Sequence, residues 1–175
     1  MSLENRQFCY AYLFSGTALT TAPELPATTL AYGCYAMMFN GCSSLTQAPI
    51  LPAEELADFC YYYMFENCTS LTQAPVIRAT ELASECCYRM FSGCLSLTQA
   101  PELPATTLAT QCYYEMFSGC TSLNYVSVGF DNWEQYATEN WLPENAGTFK
   151  CPQTLIDNTT ERTTSTVPAS WTMTV

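Results

Sequence analysis

Residues 60–75 read CYYYMFENCTSLTQAP, and the same frame returns as CYAMMFNGCSSLTQAP from Cys34, CCYRMFSGCLSLTQAP from Cys86 and CYYEMFSGCTSLN from Cys112. Cys34, Cys60, Cys86 and Cys112 are each 26 apart, as are Leu30, Leu56, Leu82 and Leu108, and Met38, Met64, Met90 and Met116. Cys9 stands 25 before Cys34, because FSGTAL (14–19) is one residue shorter than FSGCLSL (91–97). The unit is L-A-x-x-C-Y-x-x-M-F-x-G-C-x-S-L-T-x-A-P-x-L-P-A-T. A fixed period in the twenties is the signature of a solenoid, in which a unit buries its apolar face only against the next.

Two patterns alternate inside a unit. Leu30, Cys34 and Met38 fall at i, i+4 and i+8, which reads as one stripe of a helix, widened by Ala31, Tyr35 and Phe39. Thr28 and Thr29 can cap its start, and Pro26 upstream cannot continue it. Gly41 supplies the left-handed freedom of a helix stop. Leu45-Thr46-Gln47-Ala48-Pro49 then alternates like a strand, kept to two or three residues because Pro49 has no N–H to donate. The expected fold is α/β: a leucine-rich-repeat-type solenoid of helix–turn–short-strand units, about four and a half of them over 1–126, with a C-terminal capping segment over 127–175.

The F-x-G-C-x-S-L segment followed by T-x-A-P-x-L-P resembles the BspA-like leucine-rich repeat proteins, over roughly residues 8–126. GTF at 147–149 and VPASWTMTV at 167–175 are similar to the closing segment of such proteins. The resemblance implies a cell-surface or secreted bacterial protein that adheres to protein partners, host matrix or other cells, with no cofactor. The chain departs from the pattern at Thr17, where other copies have Cys, at Asn5 and Arg6 in place of Leu-Ala, and at Arg78 in place of the second Pro.

Composition narrows the classes of function. The 175 residues are 49% hydrophobic and 12% charged, the profile of a packed domain and not of a disordered chain. A net charge of −11 with five Lys and Arg repels phosphate backbones, which argues against nucleic-acid binding. No apolar run approaches a bilayer span, and MSLENRQFCY lacks the basic start and apolar core of a signal peptide. There is no histidine, so the commonest general base and metal ligand is missing. Only carboxylates and Lys150 remain to activate a cysteine nucleophile, and the reading is non-enzymatic.

Eleven cysteines would suggest a disulfide framework in a short secreted domain. Their periodicity argues for buried free thiols. The Cys34 column would sit on helices about 8–10 Å apart, beyond the roughly 7 Å that a bridge tolerates. The second column, Cys42, Cys68, Cys94 and Cys120, lies nearer the strand edge, where pairing would be incidental. Without histidine or a C-x-x-C pair, zinc is disfavoured. Cys87 and Cys151 lie outside both columns and are expected to be the accessible ones.

On a helical wheel the residue after the Cys-Tyr pair falls opposite the core, and it is Ala36, Tyr62, Tyr88 and Tyr114 in successive copies. Tyr63, Arg89 and Glu115 take the outer flank. Tyr62, Tyr63, Tyr88 and Tyr114 are therefore the candidate binding row, since tyrosine combines contact area with a polar tip. The bland reading is that they only stack on one another. The strand-side Thr20, Thr46, Thr72 and Thr98 row is the competing face. Glu24 and Glu102 share a position with Ile50 and Val76, too irregular for a calcium ladder and read as solvated charge. Asn67-Cys68-Thr69 and Asn158-Thr159-Thr160 match the glycosylation pattern, which often arises by chance.

After Leu123 the repeat is no longer legible. NYVSVGF reads as a last strand, Asp131 as the cap of a short helix carrying Trp133, Tyr136 and Trp141 over the open apolar end, IDNTTERTTSTVP (156–168) in the Thr-rich 151–175 as an exposed loop and WTMTV as a closing strand. The N-terminal end starts inside a unit and has no such lid, so the expectation is either that the protein continues upstream or that this edge self-associates with another chain. A structural or assembly protein of a filament or virion, and an intracellular interaction module, are the rival readings.

Overall fold

The computed structural model describes Leu3 and residues 6–175. Met1, Ser2, Glu4 and Asn5, including part of the irregular start noted above, lie outside the described residues. Four strands form an open parallel sheet in the order β1-β2-β3-β4: β1 Gln99–Leu103, β2 Tyr125–Val128, β3 Gly147–Lys150 and β4 Trp171–Thr174. One short helix, α1 Gln153–Asn158, precedes β4. Upstream of β1 the copies meet as single parallel bridges: Thr21 with Gln47, Gln47 with Gln73, Leu51 with Ile77, and Thr29 with Glu55 and Glu55 with Glu81. The strand stubs are thus as short as the prolines require. No helix among the described residues is long and apolar enough to cross a membrane.

The segments expected to be helical are not. Residues 33–41 and their equivalents form a ladder of turns in which every fourth residue is left-handed: Gly33, Met37 and Gly41; Phe59, Tyr63 and Asn67; Glu85, Arg89 and Gly93; Gln111, Glu115 and Gly119. A right-handed helix cannot admit a positive φ once per turn. Two interleaved hydrogen-bond sets satisfy this backbone. Cys34, Ala36, Met38, Asn40 and Cys42 donate their N–H to the carbonyls three residues back. Gly33, Tyr35, Met37, Phe39 and Gly41 donate to Asp58, Cys60, Tyr62, Met64 and Glu66 of the next copy. The third copy repeats this with the fourth, from Phe59 to Ser84 through Asn67 to Ser92. Every N–H of 33–42, 59–68 and 85–94 is paired, which removes the main cost of leaving the helix.

A turn of four residues does not drift as a helix of 3.6 does, so side chains four apart form straight columns. Cys34, Met38 and Cys42 point inward with Tyr35 and Phe39, and their equivalents in the next three copies are buried likewise, with Cys87 in place of tyrosine in one. The phenylalanines make the clearest column. Phe14, Phe39, Phe65, Phe91 and Phe117 stack at 5.4–5.6 Å with near-parallel rings, each pair contributing about 0.5–1.5 kcal/mol beyond area burial. Leu45, Leu71, Leu97 and Leu123 close the strand side. The expected leucine stripe is thinner than the pattern implied: Leu30 is buried, but Leu56, Leu82 and Leu108 are half-buried.

No cysteine is bridged among the described residues, and ten of the eleven are buried. The exposed one is Cys9. Cys87 and Cys151, expected at the surface, are 0% and 3% exposed. Cys87 replaces the buried tyrosine of its neighbours and so inherits an interior site, and Cys151 follows β3 under the final strand. The second column has a polar role that its spacing did not announce. The thiols of Cys42, Cys68, Cys94 and Cys120 donate to the carbonyls of Phe14, Phe39, Phe65 and Phe91 in the preceding copy, at 3.0–3.2 Å.

The backbone ladder continues past Leu123. Tyr113, Glu115 and Phe117 donate to the carbonyls of Ala137, Glu139 and Trp141, so 135–141 take the place of a further copy. This is the segment expected to be a helix under Asp131; it is again a turn, with positive φ at Tyr136 and Asn140. Trp141 is fully buried against Phe117, Phe130, Trp133 and Phe149, and its indole N–H donates to the Thr166 carbonyl at 2.7 Å. The aromatics of the tail do cover the apolar interior beyond Phe117. The Thr-rich segment is less loose than expected: it begins with α1 and is held by the Arg162 guanidinium, which donates to the carbonyls of Val167, Pro168 and Trp171.

At the other end, Phe8, Tyr10, Tyr12, Phe14 and Gly16 donate to Tyr32, Cys34, Ala36, Met38 and Asn40. Their alternates, the carbonyls of Gln7, Cys9, Ala11, Leu13 and Ser15, receive no backbone N–H among the described residues. Phe8, Tyr12 and Leu13 are exposed beside them.

Candidate functional site

Tyr62, Tyr88 and Tyr114 stand where consecutive copies are tied most directly. Their carbonyls accept N–H bonds from Met37, Tyr63 and Arg89, one copy earlier. That spacing sets the distance between side chains. Tyr62 and Tyr88 stack at 5.1 Å, and Tyr88 and Tyr114 at 4.6 Å with rings 7° apart. Tyr63, from the left-handed position of its turn, lies 4.3 Å from Tyr62 and 5.6 Å from Tyr88. The structure therefore brings all four candidate residues together, half-buried, on one outer face.

Sequence reasoning missed two parts of this face. The row does not end where Ala36 replaces tyrosine. Phe59 touches Tyr62 at 5.4 Å and Tyr32 at 5.1 Å, and Tyr32 touches Phe8 at 5.3 Å, so with Tyr88 and Tyr114 the aromatic strip runs from the first copy to the fifth. Phe8 and Phe59 are left-handed residues of the turn ladder, yet a wheel of 3.6 residues also puts Phe59 about 60° from Tyr62 on the outer side, so the pattern held a signal for them. The second part is Arg89. Its guanidinium carbon is 5.2 Å from the Tyr63 ring centre, Nη2 is 3.1 Å from Glu66 Oε1, and Nε is 3.5 Å from Glu115 Oε2. The latter contact is an ion pair without hydrogen-bond geometry, and Nε has no hydrogen-bond partner among the described residues. Tyr63, Arg89 and Glu115 share one repeat position, so a cation sits between an aromatic face and two carboxylates.

The electrostatics keep Tyr62, Tyr88 and Tyr114 neutral. Burial, then the Tyr63 hydroxyl, pushes Tyr62 well above its ordinary value, and burial, then Tyr63, pushes Tyr88 up to about 12. Tyr114 is raised by burial and by Glu115. Burial alone would weaken the charge on Arg89, but Glu66, Tyr63 and Glu115 outweigh it and hold the guanidinium protonated. The ring faces of Tyr88 and Tyr114 are spent on each other, so the row offers solvent ring edges and hydroxyl donors. A sugar ring or a quaternary ammonium needs an open face, which this row does not provide at its centre. A surface with its own acceptors can use the edges and hydroxyls.

The competing threonine row is exposed: Thr20, Thr46, Thr72 and Thr98 line the strand side, and Thr72 Oγ1 donates to the Thr46 carbonyl at 3.2 Å. Beside it, Gln47 Nε2 donates to Gln73 Oε1 at 3.1 Å. Among the described residues no three His, Cys, Asp or Glu side chains converge as metal ligands. No family model, curated protein or solved structure matches the chain.

Proposed function

We propose that the 26-residue copies build a leucine-rich-repeat-type solenoid with a C-terminal cap. On this reading the chain is a non-enzymatic binding and adhesion module of a bacterial cell-surface or secreted protein, meeting a protein partner, host matrix or another cell, across the tyrosine row. One observation carries the reading. Tyr62, Tyr63, Tyr88 and Tyr114 form a contiguous half-exposed strip that Phe59, Tyr32 and Phe8 extend over five copies. Contiguous aromatic surface of this kind is the usual mark of a contact site. The thiols support a non-catalytic role, since burial pushes Cys34 up to about 11 and Cys68, Cys112 and Cys120 up to about 12, far from the thiolate form that attacks a substrate. The surface location rests on the BspA-like resemblance.

Substitution by serine would remove the stacks as well as the surface, so the discriminating variant is Tyr62→Phe/Tyr88→Phe/Tyr114→Phe, which keeps the rings and deletes the hydroxyls. Binding to a panel of purified extracellular matrix proteins, read by surface plasmon resonance, is expected to be saturable for at least one. It should weaken about tenfold or more in the triple variant, from loss of about 1 kcal/mol per hydroxyl bond. Saturable binding that the triple variant leaves intact, or no saturable binding to any of the panel, would refute the reading.

The open carbonyl row of the first copy favours assembly as a second reading. That row holds acceptors alone, so it cannot pair with its own image in a two-fold dimer. Assembly through this edge would be head-to-tail, giving open-ended growth with concentration and no discrete dimer.

A further inference from the structure

Glu24, Ile50, Val76 and Glu102 share one repeat position on the strand side, separate from the tyrosine row. All four residues are exposed, with Ile50 at 62% and Val76 at 58%. Two β-branched apolar side chains are held in water at adjacent copies, with a carboxylate on either side. Neither carboxylate is ion-paired among the described residues. Grooves open along this column: one of about 360 Å³ between Pro23 and Ile50, reaching Glu24, and one of about 540 Å³ between Val76 and Pro101, reaching Glu102.

The spacing selects a ligand. Parallel bridges join the first two steps from Glu24 and the turn ladder joins the copy of Val76 to that of Glu102; at about 4.8 Å per hydrogen-bonded step, Glu24 and Glu102, three copies apart, are separated by about 14 Å. In an extended peptide, residues i and i+4 lie about 13–14 Å apart on one face, with i+2 between them on the same face. The geometry points to an extended polypeptide segment of the form cation-x-apolar-x-cation, lying along the stacking direction. Its two Lys or Arg side chains meet Glu24 and Glu102, and its central apolar side chain covers Ile50 and Val76. The net charge of −11 draws such a segment in, and the two carboxylates fix its register. Arg78, exposed two residues beyond Val76, lies off the column and opposes a cation placed at that level, which favours the apolar residue there.

The test uses the whole chain and a fluorescein-labelled peptide, Gly-Lys-Ser-Leu-Ser-Lys-Gly, with an isomer, Gly-Lys-Lys-Ser-Leu-Ser-Gly, of identical charge and composition. Fluorescence anisotropy is expected to show saturable binding of the first peptide, at least tenfold tighter than the isomer. Glu24→Gln/Glu102→Gln and Ile50→Ser/Val76→Ser, both at exposed positions, should each weaken it about tenfold. Tyr62→Phe/Tyr88→Phe/Tyr114→Phe should leave it unchanged, which separates this site from the tyrosine row. Equal binding of the two peptides, insensitivity to Glu24→Gln/Glu102→Gln, or no saturation at millimolar peptide would overturn the assignment.

Discussion

Gln111 tests the conformation on which every column depends. It is a left-handed residue with φ 51, half-buried, and its side chain makes no hydrogen bond among the described residues. In the second copy the equivalent position is already glycine, Gly33, with φ 58. A residue with a Cβ spends about 1–2 kcal/mol to sit in the left-handed region, a cost glycine escapes. Glycine's greater freedom in the unfolded chain returns about 0.4–1 kcal/mol. The balance places Gln111→Gly above Gln111→Ala in stability by about 1 kcal/mol, or about 2–4 °C in Tm for a chain of this length. In an α-helix the order reverses, with alanine ahead of glycine by about 1 kcal/mol. Thermal melts of the two variants followed by circular dichroism decide the sign. Alanine more stable than glycine would mean that the segment is helical and that the four-residue ladder is wrong.

Further outcomes follow from the same structure. Iodoacetamide applied to the native protein without reductant should label Cys9 alone within the time of a short pulse, and all eleven cysteines after denaturation; rapid native labelling of Cys87 or Cys151 would contradict their burial. Stability should be flat through neutral pH and fall from about pH 9 upward, read as Tm against pH. Thiols with an ordinary value of 9.0 are raised to about 11 or 12 in the fold, so the unfolded chain loses its protons first and gains at alkaline pH. A Tm that rises above pH 9 would refute this. Arg89→Gln should cost about 0.5–1 kcal/mol, since the pair sites are partly exposed, and the cost should shrink in 1 M salt. Light scattering after size exclusion should show no discrete two-fold dimer whose interface Cys9 or Leu13 substitutions disrupt, because the first copy's edge presents acceptors only.

The period of 26 and the identity of the core were legible from residue identity alone, because Cys34, Met38, Phe39 and their counterparts in the next three copies recur without exception and are all buried. The conformation between them was not. Cys, Met and Cys at i, i+4 and i+8 fit a helical stripe loosely and a four-residue turn closely, and a helix would carry i+8 about 80° around its axis. Gly33 and Gly41, eight apart in one copy, were the available signal, with Asn67 standing in the equivalent place of Gly41 in the next copy. In the other copies the left-handed residues are Tyr63, Arg89 and Glu115, whose types give no warning; the cross-copy hydrogen bonds hold them there. The site was more legible than the backbone: a helical wheel puts Phe59 and Phe8 within about 60° of the tyrosine direction, so the outer face could be read from the pattern, but the stacking of rings across copies could not. Past Leu123 the backbone keeps the ladder while the sequence abandons its consensus, so tryptophans replace phenylalanines and the copy is invisible to subtraction.

The cross-copy bonds of the turn ladder all point the same way, each N–H reaching forward to a carbonyl of the following copy. On the strand side the sense is mixed, as Thr72 and Asn124 donate backward. The aligned bond dipoles therefore add on one flank only and leave the molecule electrically polar along its long direction, much as peptide dipoles do in a helix. The first copy is the negative pole, where Arg6 supplies a cation. Lengthening the array by inserted copies should strengthen that asymmetry and orient the molecule in an applied field more with each copy added.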